Sequence, residues 1–411
     1  MKILMLTPDA AMIDRRILQQ AETLVDSGHS LTLLAGFECD KEEHYVYGSI
    51  DIHRYKYDWD DERLKRIRRF VMKWSKRDYL IAFVNKSYMA IARRFFDITP
   101  YDKFVLSKAE QFQADVVHVH DLPCLKVGAI VAKKWGVPLV YDAHEIYYAQ
   151  NCLPSATRQS LERAEAKYIY QVSLMSTVNQ AIAKYFEQKY KIPQPLVLMN
   201  CTDLPEGGIN SDAKQSLRSH LGLDKNTKIV LYQGWISDER NIETLVKSAA
   251  LFPDDAVLVI IGYGAYEAVL KQIVAEQGLE KRVFFLGKVP SEQILNYTAG
   301  ADIGVIPYQP IDLNHELCSP NKFFEYVLAG VPIVAHKLLF FEDMAAKHGG
   351  VTVGDLNTVA GMYEAINKLL AEPDKLVQLQ TEVKLAAQVL NWQTEAKKLL
   401  LAYESFSNSN N

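Results

Sequence analysis

Residues 318–332 read Cys318-Ser319-Pro320-Asn321-Lys322-Phe323-Phe324-Glu325-Tyr326-Val327-Leu328-Ala329-Gly330-Val331-Pro332. They pass from a loop with one cation into an amphipathic helix with one acid, then stop at Gly-Val-Pro ahead of the apolar run Ile333-Val334-Ala335. A loop that feeds a helix N-terminus offers free backbone N–H groups and the positive end of the helix dipole, which suits a phosphate. Ser319, Pro320 and Asn321 make up that loop and the helix entry, and Lys322 adds a charge beside it. Glu325, one turn into the helix, is placed to accept hydrogen bonds from a ribose diol. The same residues also fit a surface loop and an ordinary core helix whose glutamate is solvated, and the stretch alone leaves both readings open.

Outward from this stretch, short apolar runs alternate with helical patterns, as in parallel α/β sheets. In the second half the spacing predicts strands at Lys228–Gln233, Ala256–Ile261, 282–286, 302–307 and 332–336, with helices at 242–251, 265–276 and 291–299. In the first half it predicts strands at Lys2–Thr7, Ser30–Ala35, Val116–His120, 138–142 and 175–178, with a helix over 14–27 that ends at Gly28. Pro193, Pro195 and Pro205 bracket an apolar run, and Gly207-Gly208 follows, which reads as a hinge near 195–205. The chain therefore divides into 1–200, 201–390 and a terminal helix and tail over 391–411, with Asn408–Asn411 expected to be disordered.

Composition narrows the classes. A length of 411 residues suits two domains, and 49% apolar with 23% charged residues is ordinary for a soluble globular protein. A net charge of −4 argues against generic nucleic-acid binding. The five cysteines are scattered, as in a reducing compartment, and show no metal-ligand spacing. Residues 1–8 are apolar but meet Pro8 too early for a signal peptide, and no apolar run is long enough to span a bilayer. The first strand-to-helix turn lacks Gly-x-Gly-x-x-Gly, unlike a dehydrogenase.

The motif Pro-Asn-Lys-x-Phe-Glu-Tyr-x-x-x-Gly-x-Pro over 320–332 resembles the donor-binding signature of the family-4 retaining glycosyltransferases, which have the GT-B fold. It is most similar to the branch acting in bacterial surface-polysaccharide and lipid-linked glycan assembly. The resemblance covers essentially the whole chain and is strongest over 229–332. It implies two Rossmann-like α/β domains facing each other across a cleft, with the acceptor on the first domain, the nucleotide sugar on the second, and a last helix crossing back. The family usually spaces two glutamates by seven residues. Glu325 matches the second, but the first would fall at Leu317, so Asn314, His315 or Glu316 stands in.

The resemblance also assigns roles elsewhere. The loop from Gly234 to Asn241 looks like the family's first donor-domain loop; Trp235 holds a place where the family often has arginine, and Arg240 matches a later lysine. Arg240 and Lys322 would then clamp the leaving diphosphate. Gly262-Tyr263-Gly264, with the later Lys288 and Val289, resembles the nucleotide-base pocket. His118 and His120 share one face of a strand; the family's donor-sugar histidine corresponds to His120, and His118 reads as structural. Asp142-Ala143-His144-Glu145 resembles an acceptor-side element in which His144 and Glu145 orient the acceptor, while Asp142 reads equally as a loop cap. Arg15 or Arg16 in the first loop would face donor or acceptor.

Two further readings complete the picture. Residues 63–94 carry eleven Lys or Arg against Asp78 alone, interleaved with Phe70, Trp74, Tyr79 and Phe83. The pattern fits a helix on an anionic leaflet, within an insertion over about 58–100, or else a solvated helix packed on the first domain. Asp58-Trp59-Asp60 is the only Asp-x-Asp and lies in that insertion, outside any nucleotide-binding context, which predicts a metal-independent enzyme without a cofactor, the nucleotide sugar being a substrate. The expected activity is transfer of a hexose-type sugar from a UDP-linked donor to a glycan or lipid-linked acceptor, in the cytoplasm or on the inner face of the plasma membrane. The rivals are a soluble small-molecule acceptor and a nucleotide-sugar epimerase of similar fold.

Overall fold

A computed structural model describes residues 1–58, 98–204 and 207–408. The basic stretch 63–94 and the Asp58-Trp59-Asp60 spelling beyond Asp58 lie outside the described residues. Contacts divide the chain into two compact units, one of Met1–Tyr148, Leu153–Ser176 and Leu400–Asn411, the other of Ala149–Cys152 and Thr177–Leu399. Residues 177–200, expected in the first domain, therefore count with the second. One cause is visible at Asn179, whose Nδ2 donates to the Leu317 carbonyl at 2.7 Å. Of the terminal helix Trp392–Asn408, the part from Leu400 onward counts with the first unit.

The first unit is built on strands β1 (Lys2–Thr7), β2 (Ser30–Ala35), β3 (Glu38–Tyr47), β4 (Ile50–Lys56), β5 (Val116–His120), β6 (Leu139–Ala143) and β7 (Leu174–Thr177). They run in the order β3-β4-β2-β1-β5-β6-β7. The β1–β2, β1–β5, β2–β4 and β5–β6 pairs are parallel, and β3 joins β4 antiparallel at the edge. Ile3, Leu4, Met5 and Leu6 are all buried, as a strand covered on both faces requires. The strand order reverses at β1, so the carboxyl ends of β1 and β5 flank a switch point, where such sheets bind ligands.

The second unit repeats the plan. A two-residue strand β8 (Leu196–Val197) is followed by β9 (Lys228–Gln233), β10 (Ala256–Ile261), β11 (Val283–Gly287), β12 (Ile303–Ile306), β13 (Ile333–His336) and β14 (Val351–Gly354). The last six form a sheet in the order β11-β10-β9-β12-β13-β14, with its switch point at the carboxyl ends of β9 and β12.

The motif helix Asn321–Leu328 is fixed on this sheet by its aromatic residues. The Tyr326 hydroxyl donates to the Leu231 carbonyl of β9 at 3.0 Å. Its ring fills the space over Gly304 of β12, where a Cβ would meet ring atoms at 2.7 Å. Phe323 and Phe324 are fully buried beside it, each contributing about 1.5–3 kcal/mol of transfer free energy. Gly330 ends the helix at φ 70°, and the Val331 N–H returns to the Tyr326 carbonyl at 2.9 Å, a left-handed cap that Pro332 then seals.

Candidate active site

In the second unit the chain leaves β9 and β10 side by side. Gly234 N–H donates to the Ile261 carbonyl at 2.8 Å, and Ile236 N–H to the Tyr263 carbonyl at 2.9 Å. The two loops touch backbone to backbone. A Cβ on Gly262 would lie 1.9 Å from the Gly234 oxygen, and one on Gly264 2.0 Å from the Ile236 oxygen. This close approach is why the segment reads Gly-x-Gly. Trp235 and Tyr263 stand half exposed above it, edge to face at 5.1 Å, and Lys288 Nζ lies 5.1 Å from the Tyr263 ring.

Beside Gly234 the first turn of the motif helix turns Lys322 inward. Its Nζ is 3.8 Å from the Tyr232 ring centroid and 4.9 Å from that of Tyr308. Arg240 lays its guanidinium on the other side, with Cζ 4.2 Å from the Tyr308 ring. Lys322 Nζ, Arg240 Nε and Ser319 Oγ are buried without a hydrogen-bond partner. Burial and the charge of Arg240 push the Lys322 amine well below the ordinary lysine value, with Glu325 acting in the opposite sense. An amine, a guanidinium and a hydroxyl, each with a buried atom lacking a partner, make at this switch point a cradle for a compact anion.

The surrounding loop is tied down. Asn200 Nδ2 donates to the Ser319 carbonyl at 2.6 Å. Glu325 accepts from Gln233 Nε2 at 2.6 Å, and Gln233 Oε1 accepts from Thr298 at 2.8 Å. Among the residues considered for the missing first glutamate, His315 is buried with Nδ1 2.8 Å from Asp312 Oδ1, Asn314 is half-buried, and Glu316 is exposed. Val289 packs against the core, and Pro320 precedes the helix in extended conformation without a side-chain cap.

In the first unit a second cluster gathers at the ends of β5 and β6. His118 and His120 do share a face, stacked at 4.4 Å. His118 Nδ1 lies 2.7 Å from the Tyr403 hydroxyl, and burial holds its pKa well below the ordinary imidazole value. His120 has Nδ1 3.3 Å from Asp142 and a buried Nε2 without a partner. Asp142, which the sequence reads equally as a loop cap, is instead the hub. It is fully buried and receives Gln20 at 2.7 Å, Ser176 at 2.7 Å and His144 Nε2 at 2.8 Å.

His144 lies between two carboxylates. Nε2 meets Asp142, and Nδ1 is 3.3 Å from Asp121 Oδ2. Burial and Arg16 oppose its charge, but Asp121 and Asp142 together lift it to about 10. Asp121 holds this position at φ 59°, a left-handed conformation that costs a non-glycine residue of order 1 kcal/mol or more. Arg16 is engaged with Asp14, Nε–Oδ1 3.0 Å and Nη2–Oδ2 2.6 Å. Arg15 and Glu145 are half-buried and engaged in contacts of their own.

Sequence reasoning missed Asp121, Tyr232, Gln233 and Tyr308, whose roles come from what they face. It also missed that His118, His120 and Asp142, and separately His44, Asp51 and His53, are close enough to share a metal ion among the described residues. The Asp-x-His spelling at 142–144 was the one available signal for the hub.

Comparison with known proteins agrees with this architecture. Residues 13–204 match the family described as Glycosyltransferase Family 4, and residues 213–385 match Glycosyl transferases group 1. The D-inositol 3-phosphate glycosyltransferase of Corynebacterium glutamicum is 22% identical over 329 residues, 74% of this chain and 75% of that protein. Anabaena HepE in complex with UDP and glucose superposes with a TM-score of 0.71 at 18% identity, covering 98% of this chain and 100% of the other. Sucrose-phosphate synthase from Thermosynechococcus elongatus gives 0.70 at 16% identity, covering 99% of each chain.

Proposed function

The chain belongs to the glycosyltransferases of GT-B fold, with a Family 4 first half and a group 1 second half, and from that membership we propose that it is a retaining enzyme moving a hexose-type sugar from a UDP-linked donor to a hydroxyl. The observation that carries this reading is the pair of Lys322, buried, and Arg240, half-buried, with no hydrogen-bond partner at Lys322 Nζ or Arg240 Nε. The pair holds the diphosphate, and Glu325 takes the ribose. The acceptor oxygen bonds to the anomeric carbon, the bond to the diphosphate oxygen breaks, and the hydroxyl proton passes to that departing oxygen on the same face. Charge neutralisation by Lys322, Arg240 and the helix N-terminus lowers the barrier without calling on a metal. His120, through Nε2, is assigned to a hydroxyl of the donor sugar, and His144 and Glu145 to the acceptor side.

For the acceptor we take a glycan or lipid-linked substrate at the cytoplasmic leaflet, supported by the basic, aromatic-laced stretch 63–94. A second reading, a small soluble acceptor bearing a phosphate, is favoured by the name of the Corynebacterium relative. Thermal stabilisation by a panel of nucleoside diphosphates and nucleotide sugars tests the donor. UDP and one UDP-sugar should raise the unfolding midpoint in wild type and fail in Lys322→Ala; a panel with no stabilising member would overturn the reading. Transfer should persist in EDTA, and activity lost to EDTA and restored by magnesium or manganese would refute metal independence.

A further inference from the structure

His44 of β3 and His53 of β4 are register partners across an antiparallel pair, so their side chains leave the same face of the hairpin. Asp51 lies two residues before His53 on β4 and shares that face. The three side chains converge. His44 Nε2 is 2.7 Å from Asp51 Oδ1, and His53 Nε2 is 3.0 Å from Asp51 Oδ2. The two imidazoles stack at 4.2 Å with planes 9° apart, and Phe112 backs His53 at 4.6 Å. The Glu43–Arg54 pair, one residue along on each strand, belongs to the opposite face, so the Arg54 guanidinium does not share the cluster's side of the hairpin.

We propose that His44, Asp51 and His53 form a binding site for a divalent transition metal of the zinc class. The ligand atoms already lie within 4.8 Å of one another. Two imidazoles and one carboxylate suit zinc, cobalt(II) or nickel(II), whereas magnesium and calcium prefer all-oxygen sets. Three protein ligands leave a position for water. The ion replaces the two hydrogen bonds to Asp51: each Nε2 gives up the proton it shares with the carboxylate and turns its lone pair to the metal, the proton leaving or moving to Nδ1. In the sheet, β4 is separated from β1 by β2, and none of the three residues belongs to the cluster around Asp142. The ion would instead staple β3, exposed along most of its length, to β4.

The test uses the full chain in metal-free buffer. Zinc is titrated against a chromophoric chelator, and cobalt(II) is followed by its ligand-field absorption. Wild type should bind one zinc per chain, give a cobalt spectrum of nitrogen–oxygen ligation and unfold at higher temperature with zinc. His44→Ala, His53→Ala and Asp51→Asn should each weaken zinc by about 10-fold or more, abolish the thermal shift, and leave UDP binding unchanged. A wild type that binds no zinc overturns the proposal. So does zinc retained undiminished by both histidine variants, which would direct it to the buried His118, His120 and Asp142 set instead.

Discussion

Lys322 is 6% exposed, surrounded by tyrosine rings and next to Arg240, and burial and that guanidinium hold its amine well below the ordinary lysine value. A bound diphosphate supplies the missing countercharge and raises the amine's pKa. Nucleotide binding should therefore take up a proton, and affinity should fall as pH rises between the free and bound pKa of Lys322. Calorimetry in buffers of different ionisation enthalpy reads the uptake; a buffer-independent enthalpy together with pH-independent affinity would sink the proton linkage at Lys322. Lys322→Ala and Arg240→Ala should each cut turnover by about 100-fold or more, against which near-normal rates in both would count decisively. His144 gives a prediction about stability. Its pKa is about 10 in the folded chain against 6.5 unperturbed, so its contribution is complete below about pH 6.5 and is lost as pH climbs towards 10. The gap in denaturant midpoint between wild type and His144→Gln should narrow over that window, and a gap that widened would reverse the assignment. The family resemblance is what pointed to His120, Lys322 and Arg240 as candidates, and the roles given to them are proposals. Asp142 and Tyr308 were not legible in the sequence, because a hub and a ring platform are defined by the groups that surround them.

Elements with a strong apolar period could be read in advance. Strands β1, β2, β5, β9 and β10 lie where the spacing puts them, since each is buried on both faces and flanked by turns. Strand β3 was not readable: its sequence Glu-Cys-Asp-Lys-Glu-Glu-His-Tyr-Val-Tyr buries only Cys39, and what orders it is pairing with β4 at the sheet edge. Strand β14 is only half-buried throughout and gave no signal either. The β10 turn shows the reverse case, a weak motif with a firm physical cause. Ala at Gly264 would put a Cβ 2.0 Å from a backbone carbonyl that cannot move without breaking the β9–β10 loop pairing. At Gly28, by contrast, φ is 86° but no atom lies within 4 Å. Gly28→Ala should cost about 1 kcal/mol through the backbone alone, whereas Gly264→Ala should cost more than about 2 kcal/mol and abolish UDP binding. Urea midpoints of the two variants compare them, and equal midpoints would mean the close approach is not rigid.

Charge is the property that belongs to the whole molecule. The total is −4, yet residues 63–94 alone carry eleven basic side chains and one acid, so the remainder of the chain is strongly acidic. No helix among the described residues is long and apolar enough to cross a membrane. The proposed lipid-linked acceptor calls for peripheral attachment, which we assign to the basic stretch. Each basic residue at an anionic leaflet contributes about 1 kcal/mol, so half of the eleven suffice for reversible binding. The same charges are screened by salt over a Debye length of about 10 Å at 0.1 M, so the attachment should weaken steeply as salt rises. Replacing Arg66, Arg68, Arg69 and Lys73 by glutamate should release the protein from anionic vesicles. UDP binding should survive, because Lys322, Arg240 and Glu325 all belong to the other unit. Sedimentation with anionic and neutral vesicles, at low and high salt, separates the two acceptor readings. If wild type stays in solution with anionic vesicles at low salt, the basic stretch is a solvated face, and the small phosphorylated acceptor becomes the better account of the first unit.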